Sequence, residues 1–516
     1  MQQNAILKTL ALIVFAALSV VFTVQIFSSS GNVLGSSFRY LTPLAAFVGL
    51  MIPRFAFYLL LFSGAYLDLI KRFMILDSRF SDIDLAFLLG FAPALVAGMV
   101  LKFVVDVIMK SPNVTKRDLL LFGATTFLCV GLGGVQLIMA GGLRGIGNGV
   151  NMVAYLYMPL LVPRIFRNLA EIKSLLRATV LIYLPAALWA IQQAHFGLAN
   201  FEMQYLLSGM TIEIRQLDEE VFRNMGTMVS AHALSMVSSI LAMALLLPVS
   251  WKDGKITSKA WFNPLRILCA VLFMAGAYYT FSRTGWACAI VALLAFICLQ
   301  SRALTYTAFF TALVAVTTLY LSADYLLESR TMVNAQDILF EKFGTSAEMR
   351  QMMVLGTLDA RLDSMASFAT DPKLWTPFGL AAAGSNHQVD WIHDILTETL
   401  VMIGYIPLSI FLICFLGGTL IAFGKLFKMP KGPHRLLTTY FAALGIGLMS
   451  GGFSQGAMIL YFPINFFWCM FLGVAYSIFI WNKDQAPEIA EAIPEQPLAP
   501  PQRRSMNRFG NAVPHH

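Results

Sequence analysis

Arg283 stands alone in "YYTFSRTGWACAIVALLAF" (residues 278–296), between two apolar runs with scarcely a polar neighbour. A charged side chain inside a membrane span costs about 2.5–3.5 kcal/mol on insertion scales, so such a residue asks for a function. Two other stretches raise the same question. "FRNMGTMVSAHALSM" carries Arg223 just before an apolar run and His232 just inside it, and "DWIHDILTETLVMIGYIP" opens another run with His393 and Asp394. Arginine offers a planar fork of donors that stays charged and fits phosphate bidentately. Histidine takes up a proton near neutral pH. Together these groups suit transfer away from a diphosphate: guanidinium groups hold the leaving group and its growing charge, and the imidazole orients or deprotonates an acceptor hydroxyl. The plainer reading of an arginine at a helix end is snorkelling to lipid phosphate. It fits Arg283 poorly, because such residues concentrate on the inner side of a membrane. His232, alone on an apolar face, reads as a hydrogen-bonded packing residue.

The elements that must position these residues follow from composition. Of 516 residues 58 % are hydrophobic and only 12 % charged, with a mean hydropathy of +0.71. Soluble domains run nearer 45–50 % apolar and about 25 % charged. Apolar stretches long enough to cross a bilayer recur throughout, which predicts an all-α, polytopic transmembrane helical bundle. The expected spans are 5–27, 38–52, 55–70, 85–109, 118–140, 149–165, 175–196, 228–250, 265–281, 284–300, 304–322, 394–424, 436–458 and 461–481, about 14 in all. Pro53-Arg54 divides what would otherwise be one overlong span, making a tight hairpin. The first stretch shows no small-residue cleavage site and reads as a helix rather than a removed signal.

The net charge of +8 is a topology signal and not a nucleic-acid footprint. With the N-terminus inside, Lys and Arg gather in short inner loops such as "RIFRNLAEIKSLLR", "WKDGKITSKAWFNP" and "KLFKMPKGPHR", while the outer loops are richer in acids. Arg223, Arg283 and His393 then share the outer face. The long outer loop 323–393 reads as short helices lying over the bundle, since long loops tend to carry function. The catalytic domain is expected over 1–482. The tail 483–516, rich in Pro, Ala and Glu, is expected to be disordered and cytoplasmic. Other apparent motifs fail on context. "GGLRGIGNG" has no strand before it and reads as a turn, the six cysteines all lie in apolar runs without CxxC spacing and read as small packing residues, and no His/Cys cluster has metal-ligand spacing. The expectation is therefore chemistry without metal or cofactor.

At these residues a family likeness emerges. "R-x-x-G-T" with a histidine six residues beyond its glycine, then "SRTG" at a helix end, then a long outer loop ending in "WIHDILTETLVMIGYIP", resembles the O-antigen ligase and O-antigen polymerase superfamily of bacterial membrane glycosyltransferases. The likeness covers roughly residues 220–425. It implies an enzyme of the cell inner membrane that works at the periplasmic face on an undecaprenyl-diphosphate-linked glycan. By similarity Arg223 and Arg283 match diphosphate-binding arginines, His393 the essential loop histidine, and Arg361 a further loop arginine of polymerase-like members, with Arg350 competing for that last place. Asp394 follows His393 where ligases carry Asn, Ser or Gln, and Gly404-Tyr405-Ile406-Pro407 departs from the ligases' Gly-x-x-Gly ending. Both departures favour a polymerase of O-antigen or exopolysaccharide over a ligase transferring the glycan to lipid A core. Asp394 caps its helix and, beside His393, raises the imidazole's proton affinity.

The rival from another class is a flippase or transporter for a lipid-linked glycan. A flippase needs charge along a path through the membrane. Lys102 and Asp106, one turn apart on a single helix, read instead as a mutual pair. No internal repeat marks the chain as a two-fold transporter. Partners of the enzymatic reading are the lipid-linked glycan, membrane lipid, and a flippase and chain-length regulator; nucleic acid is not among them.

Overall fold

The computed structural model describes residues 32–77, 79–140, 149–208, 216–218, 221–252, 255–257, 263–328, 338, 341, 356–380, 394–456 and 460–491. The described chain is helical apart from two short antiparallel hairpins. Its elements are α1 (Val33–Met51), α2 (Pro53–Leu76), α3 (Asp82–Ile108), α4 (Lys116–Ala140), α5 (Met158–Ile165, entered through a 3-10 turn Ala154–Tyr157), α6 (Leu169–Phe196) and α7 (Asn200–Leu207). Hairpin β1–β2 (Gln216–Asp218, Val221–Phe222) precedes α8 (Ala231–Leu246), and hairpin β3–β4 (Ser250–Lys252, Lys255–Thr257) follows it. Then come α9 (Pro264–Tyr278), α10 (Arg283–Cys298), α11 (Arg302–Glu328), α12 (Gly356–Thr370), α13 (Ile395–Ile403), α14 (Tyr405–Lys428), α15 (Pro433–Ser450), α16 (Gly452–Gln455) and α17 (Ile464–Glu491).

Among the described residues, six helices are long and apolar enough to cross a membrane: α1, α3, α6, α11, α14 and, over Ile464–Trp481, α17. Helices α8, α9 and α10 are equally apolar but shorter. The chain breaks at Ile52, and Pro53 starts α2, where a proline lacking its N–H does least harm. The expected first span 5–27 lies outside the described residues, as do Arg350, His393 and most of loop 323–393.

Three expectations need correction. The span expected over 394–424 is two helices, α13 and α14, broken at Gly404, whose φ of +79° is open to glycine alone at little cost. Residues 376–380 lie against the break: Tyr405 N–H donates to Thr376 O (2.9 Å) and Leu380 N–H to Val401 O (3.0 Å). A Cβ on Gly404 would stand 2.4 Å from the backbone nitrogens of Phe378 and Gly379. Second, α17 runs on through Lys483–Glu491, into the range expected as tail. Third, Cys414 is exposed on α14 rather than packed inside. The Lys102–Asp106 pair forms as expected (3.0 Å), and Arg164 shares the same carboxylate.

The middle of the bundle is α8, buried on almost every side from Ala231 to Ala244. Ala233, Ser235, Ser238 and Ser239 let neighbouring backbones come close, and helices in a membrane associate by such packing more than by water exclusion. α9, α10 and α15 surround it, and α17 packs behind α15. By contrast α11 and α14 present Val314, Leu321, Ile413 and Ile421 outward, the pattern of lipid-facing helices. Arg223 and His232 thus stand at the entry to a helix buried on almost every side.

Candidate functional site

The segment Arg223–Ser230 joins β2 to α8, and nearly every residue of it is tied down. Asn224 Nδ2 donates to Tyr279 O (2.8 Å), Gly226 N–H to Gln193 Oε1 (2.9 Å) and Thr227 Oγ1 to Ala65 O (2.7 Å). Ser230 caps α8 by accepting from Ala233 N–H (3.0 Å). Gly226 takes φ +56° and lies against Ala186 O, so the turn has neither the conformation nor the space for a side chain.

Beneath this segment lies Arg72, whose side chain is completely buried. Its Nη1 donates to Gly226 O (2.7 Å), its Nη2 to Met228 O, and its Nε to Asp68 (3.0 Å), with Glu202 3.4 Å away. Glu202 is itself buried and accepts from Trp189 Nε1 (3.0 Å), Gln193 Nε2 and Ala199 N–H (2.9 Å). A buried charge persists only when paired and hydrogen-bonded. This one is satisfied four ways, and its partners include the carbonyls of the arginine-bearing turn.

Arg223 Nη1 donates to His232 Nε2 at 2.8 Å, while His232 Nδ1 is 2.8 Å from Ser282 Oγ. A guanidinium only donates, so Nε2 must accept, and the imidazole proton sits on Nδ1, facing Ser282; the tautomer follows from the partners. His232 therefore links the Arg223 segment to the turn carrying Arg283. Sequence reasoning assigned it to packing. It is hydrogen-bonded as expected, but its partners make it part of the site's frame.

The turn between α9 and α10 is unusual in its own right. Phe281, a bulky and nearly buried residue, takes φ +53°, a left-handed conformation that costs about 1–3 kcal/mol and persists only when its surroundings over-determine it. They do here: Ser282 N–H donates to Thr280 Oγ1 (3.2 Å), and Ser282 O accepts from Ser235 Oγ (3.0 Å). Gly285 brings α10 against the Ser235 backbone of α8. Arg283 becomes the first residue of α10, where the positive end of the helix dipole disfavours a cation. Helix stability does not explain an arginine there.

Arg361 comes from α12, in the part of the long loop that is described. Burial first, and then the charges of Arg283 and Arg223, bring its guanidinium down from the ordinary arginine range to about 10. It remains cationic at neutral pH. Its Nε is buried with no hydrogen-bond partner among the described residues. The structure thus brings the three sequence-predicted arginines into one electrostatic group, though they lie on three segments spread over 138 residues of chain (361 − 223).

Asp394 is wholly buried. Its Oδ1 accepts from Thr397 N–H (2.9 Å) and from the Tyr320 hydroxyl, and its Oδ2 from the Ser364 hydroxyl. Thr397 Oγ1 also donates to Ser364 O (3.0 Å). The carboxylate caps α13 and ties it to α11 and α12, one turn from Arg361. The helix cap expected of Asp394 is formed, and both of its oxygens are engaged inside the protein. His393, its chain neighbour, lies outside the described residues.

Among the described residues no group of three or more His, Cys, Asp or Glu is placed to hold a metal ion. Arg72, Glu202, Tyr320 and Ser364 escaped the sequence reading; each works through a partner at least 30 residues away. Comparison with known protein families, characterised proteins and solved structures returns no match.

Proposed function

We propose that the chain is a membrane glycosyltransferase that transfers or polymerises an undecaprenyl-diphosphate-linked oligosaccharide at the periplasmic face of a bacterial inner membrane. The reading takes about 14 passes, both termini cytoplasmic, and loop 323–393 outside. The observation that carries it is the convergence of Arg223, Arg283 and Arg361, close enough for two of them to weaken the proton affinity of the third. Three like charges held together repel one another. The cost is recovered when a polyanion enters, and a diphosphate is the anion that a membrane-borne donor presents there.

In the reaction, an acceptor hydroxyl oxygen forms a bond to the anomeric carbon of the donor glycan. The bond from that carbon to the diphosphate oxygen breaks, and undecaprenyl diphosphate leaves carrying the electron pair. The arginines stabilise the charge growing on it. His393 takes the hydroxyl proton, and Asp394 fixes the helix start that follows it. His232 stays out of proton transfer, since its Nε2 is occupied by Arg223. Chain extension is favoured over transfer to lipid A core by the residues after His393.

The test is His393→Ala in purified, reconstituted protein given a synthetic undecaprenyl-diphosphate oligosaccharide. Transfer should be lost while the donor still binds through the arginines. Loss of donor binding together with transfer would make His393 a diphosphate ligand, and the base would then be sought at Glu398.

A further inference from the structure

We propose that the end of the bundle opposite the arginine cluster carries a second anion site, which takes the phosphate of an acidic membrane-lipid headgroup. A cavity of about 470 Å³ opens where the α10–α11 linker meets the end of α14 and the start of α15. Its walls hold Arg302, Lys428, Lys431 and Arg435, with Gln300 and Ser301 beside them, and no carboxylate. Arg283 begins α10 and Gln300 lies two residues past its end, so the two sites stand about 25 Å apart along one helix.

Basic residues are ordinary at an inner face, so charge alone decides nothing. The arrangement does. On the side that the topology makes cytoplasmic, Arg164 pairs with Asp106 and Asp118, and Arg54 with Glu171. Among the described residues Arg302, Lys428, Lys431 and Arg435 form no ion pair. Arg302 opens α11 and Arg435 lies in the first turn of α15, two places where the helix dipole opposes a cation and welcomes an anion.

Both arginines are also held in place before any ligand arrives. The Arg435 guanidinium lies 5.1 Å from the centre of the Phe427 ring, and that of Arg302 lies 5.8 Å from the centre of Tyr306. Arg435 Nη2 donates to Gln300 O at 3.4 Å. Tyr306 and Phe309 of α11 meet Phe423 and Phe427 of α14 edge-on or tilted, forming an aromatic layer between the two helices.

The flank of the cavity identifies the source of the phosphate. Leu304, two residues past Arg302 on α11, and Ile421, three residues before Gly424 on α14, are exposed, so apolar surface continues along both helices from the cations. That is the shape of an acidic phospholipid, and basic pockets between membrane helices bind such headgroups. Gly424 keeps the cavity open: a Cβ there would meet only the Tyr306 hydroxyl, 4.0 Å away.

The experiment measures binding of a fluorescent short-chain phosphatidylglycerol to the full chain in neutral detergent, with phosphatidylcholine and inorganic phosphate as competitors. Saturable binding that phosphatidylcholine does not displace is expected. Arg302→Gln with Arg435→Gln should weaken it about thirtyfold, at the usual contribution of one interfacial cation apiece. Gly424→Leu keeps every cation but fills the cavity, and should weaken it as well. Binding unchanged in both variants would overturn the site, and binding lost only with the cations would reduce it to diffuse surface charge. If the double variant does not fold, Gly424→Leu alone decides. Inorganic phosphate competing as strongly as the lipid would support an anion site and overturn its lipid source.

Discussion

At the scale of single residues, Arg283 was legible because it violates its surroundings, a cation between two apolar runs, and Arg223 because it stands just before one. Arg361 had no such mark in its polar stretch and was reached only through the family likeness. Replacing Arg283 with Lys keeps the charge and loses the fork, so turnover should fall about tenfold or more, equivalent to about 1.4 kcal/mol of transition-state stabilisation, while the amount of folded protein holds. Full activity of Arg283→Lys would restore the snorkelling explanation. Arg361 makes a second prediction with a definite sign. Its folded-state proton affinity is lowered to about 10, so its charge is present below that pH and lost as pH rises through it. Between about 10 and the ordinary arginine value the unfolded chain binds more protons than the folded one, and stability rises with pH across that window. Arg361→Gln should therefore raise the unfolding temperature at pH 7 while weakening donor binding. Inorganic pyrophosphate should stabilise the native chain more than this variant, which thermal unfolding with and without pyrophosphate would show. A variant that is both less stable and equally stabilised by pyrophosphate would remove Arg361 from the site. His232 was not legible in this way. A histidine in an apolar helix looks like packing until its two partners, Arg223 and Ser282, are seen to come from different segments.

At the scale of elements, the apolar runs announced most helices, and Pro53 announced a break, because both signals are local. Gly404 was passed over because "MIGYIPLSIF" stays apolar across the corner. What breaks the helix is residues 376–380 packing against it, a contact with no mark in the local sequence. Gly404→Ala should destabilise by more than about 1 kcal/mol through its positive φ alone, with a further cost from the backbone it would meet. Arg72 was invisible for a related reason: "LIKRF" reads as charges trailing a span, and Glu202 lies 130 residues on. Removing one partner of a buried pair leaves the other uncompensated and costs about 3–5 kcal/mol. Arg72→Gln should accordingly lower the unfolding temperature strongly and release the Gly226–Met228 turn, seen as faster amide exchange there. An unchanged exchange pattern would show that the turn holds Arg223 without Arg72.

At the scale of the whole molecule, the account depends on which side of the membrane each end of the bundle faces. In the orientation proposed above, the arginine cluster lies outside and the Arg302–Arg435 cavity inside. Cysteines introduced into loop 323–393 should react with a membrane-impermeant reagent in intact cells, and cysteines placed after 492 only after lysis; the reverse pattern would overturn the orientation. The central claim, that three arginines work on a diphosphate leaving group, is tested most directly in proteoliposomes holding the purified chain and a synthetic undecaprenyl-diphosphate oligosaccharide, in EDTA, with released undecaprenyl diphosphate and lengthened glycan measured by mass spectrometry. The account predicts that both products accumulate together with the native chain and that neither forms with Arg223, Arg283 and Arg361 all replaced by Gln. It is contradicted if the triple variant turns over at the native rate, or if the native chain moves the donor across the membrane and leaves it intact.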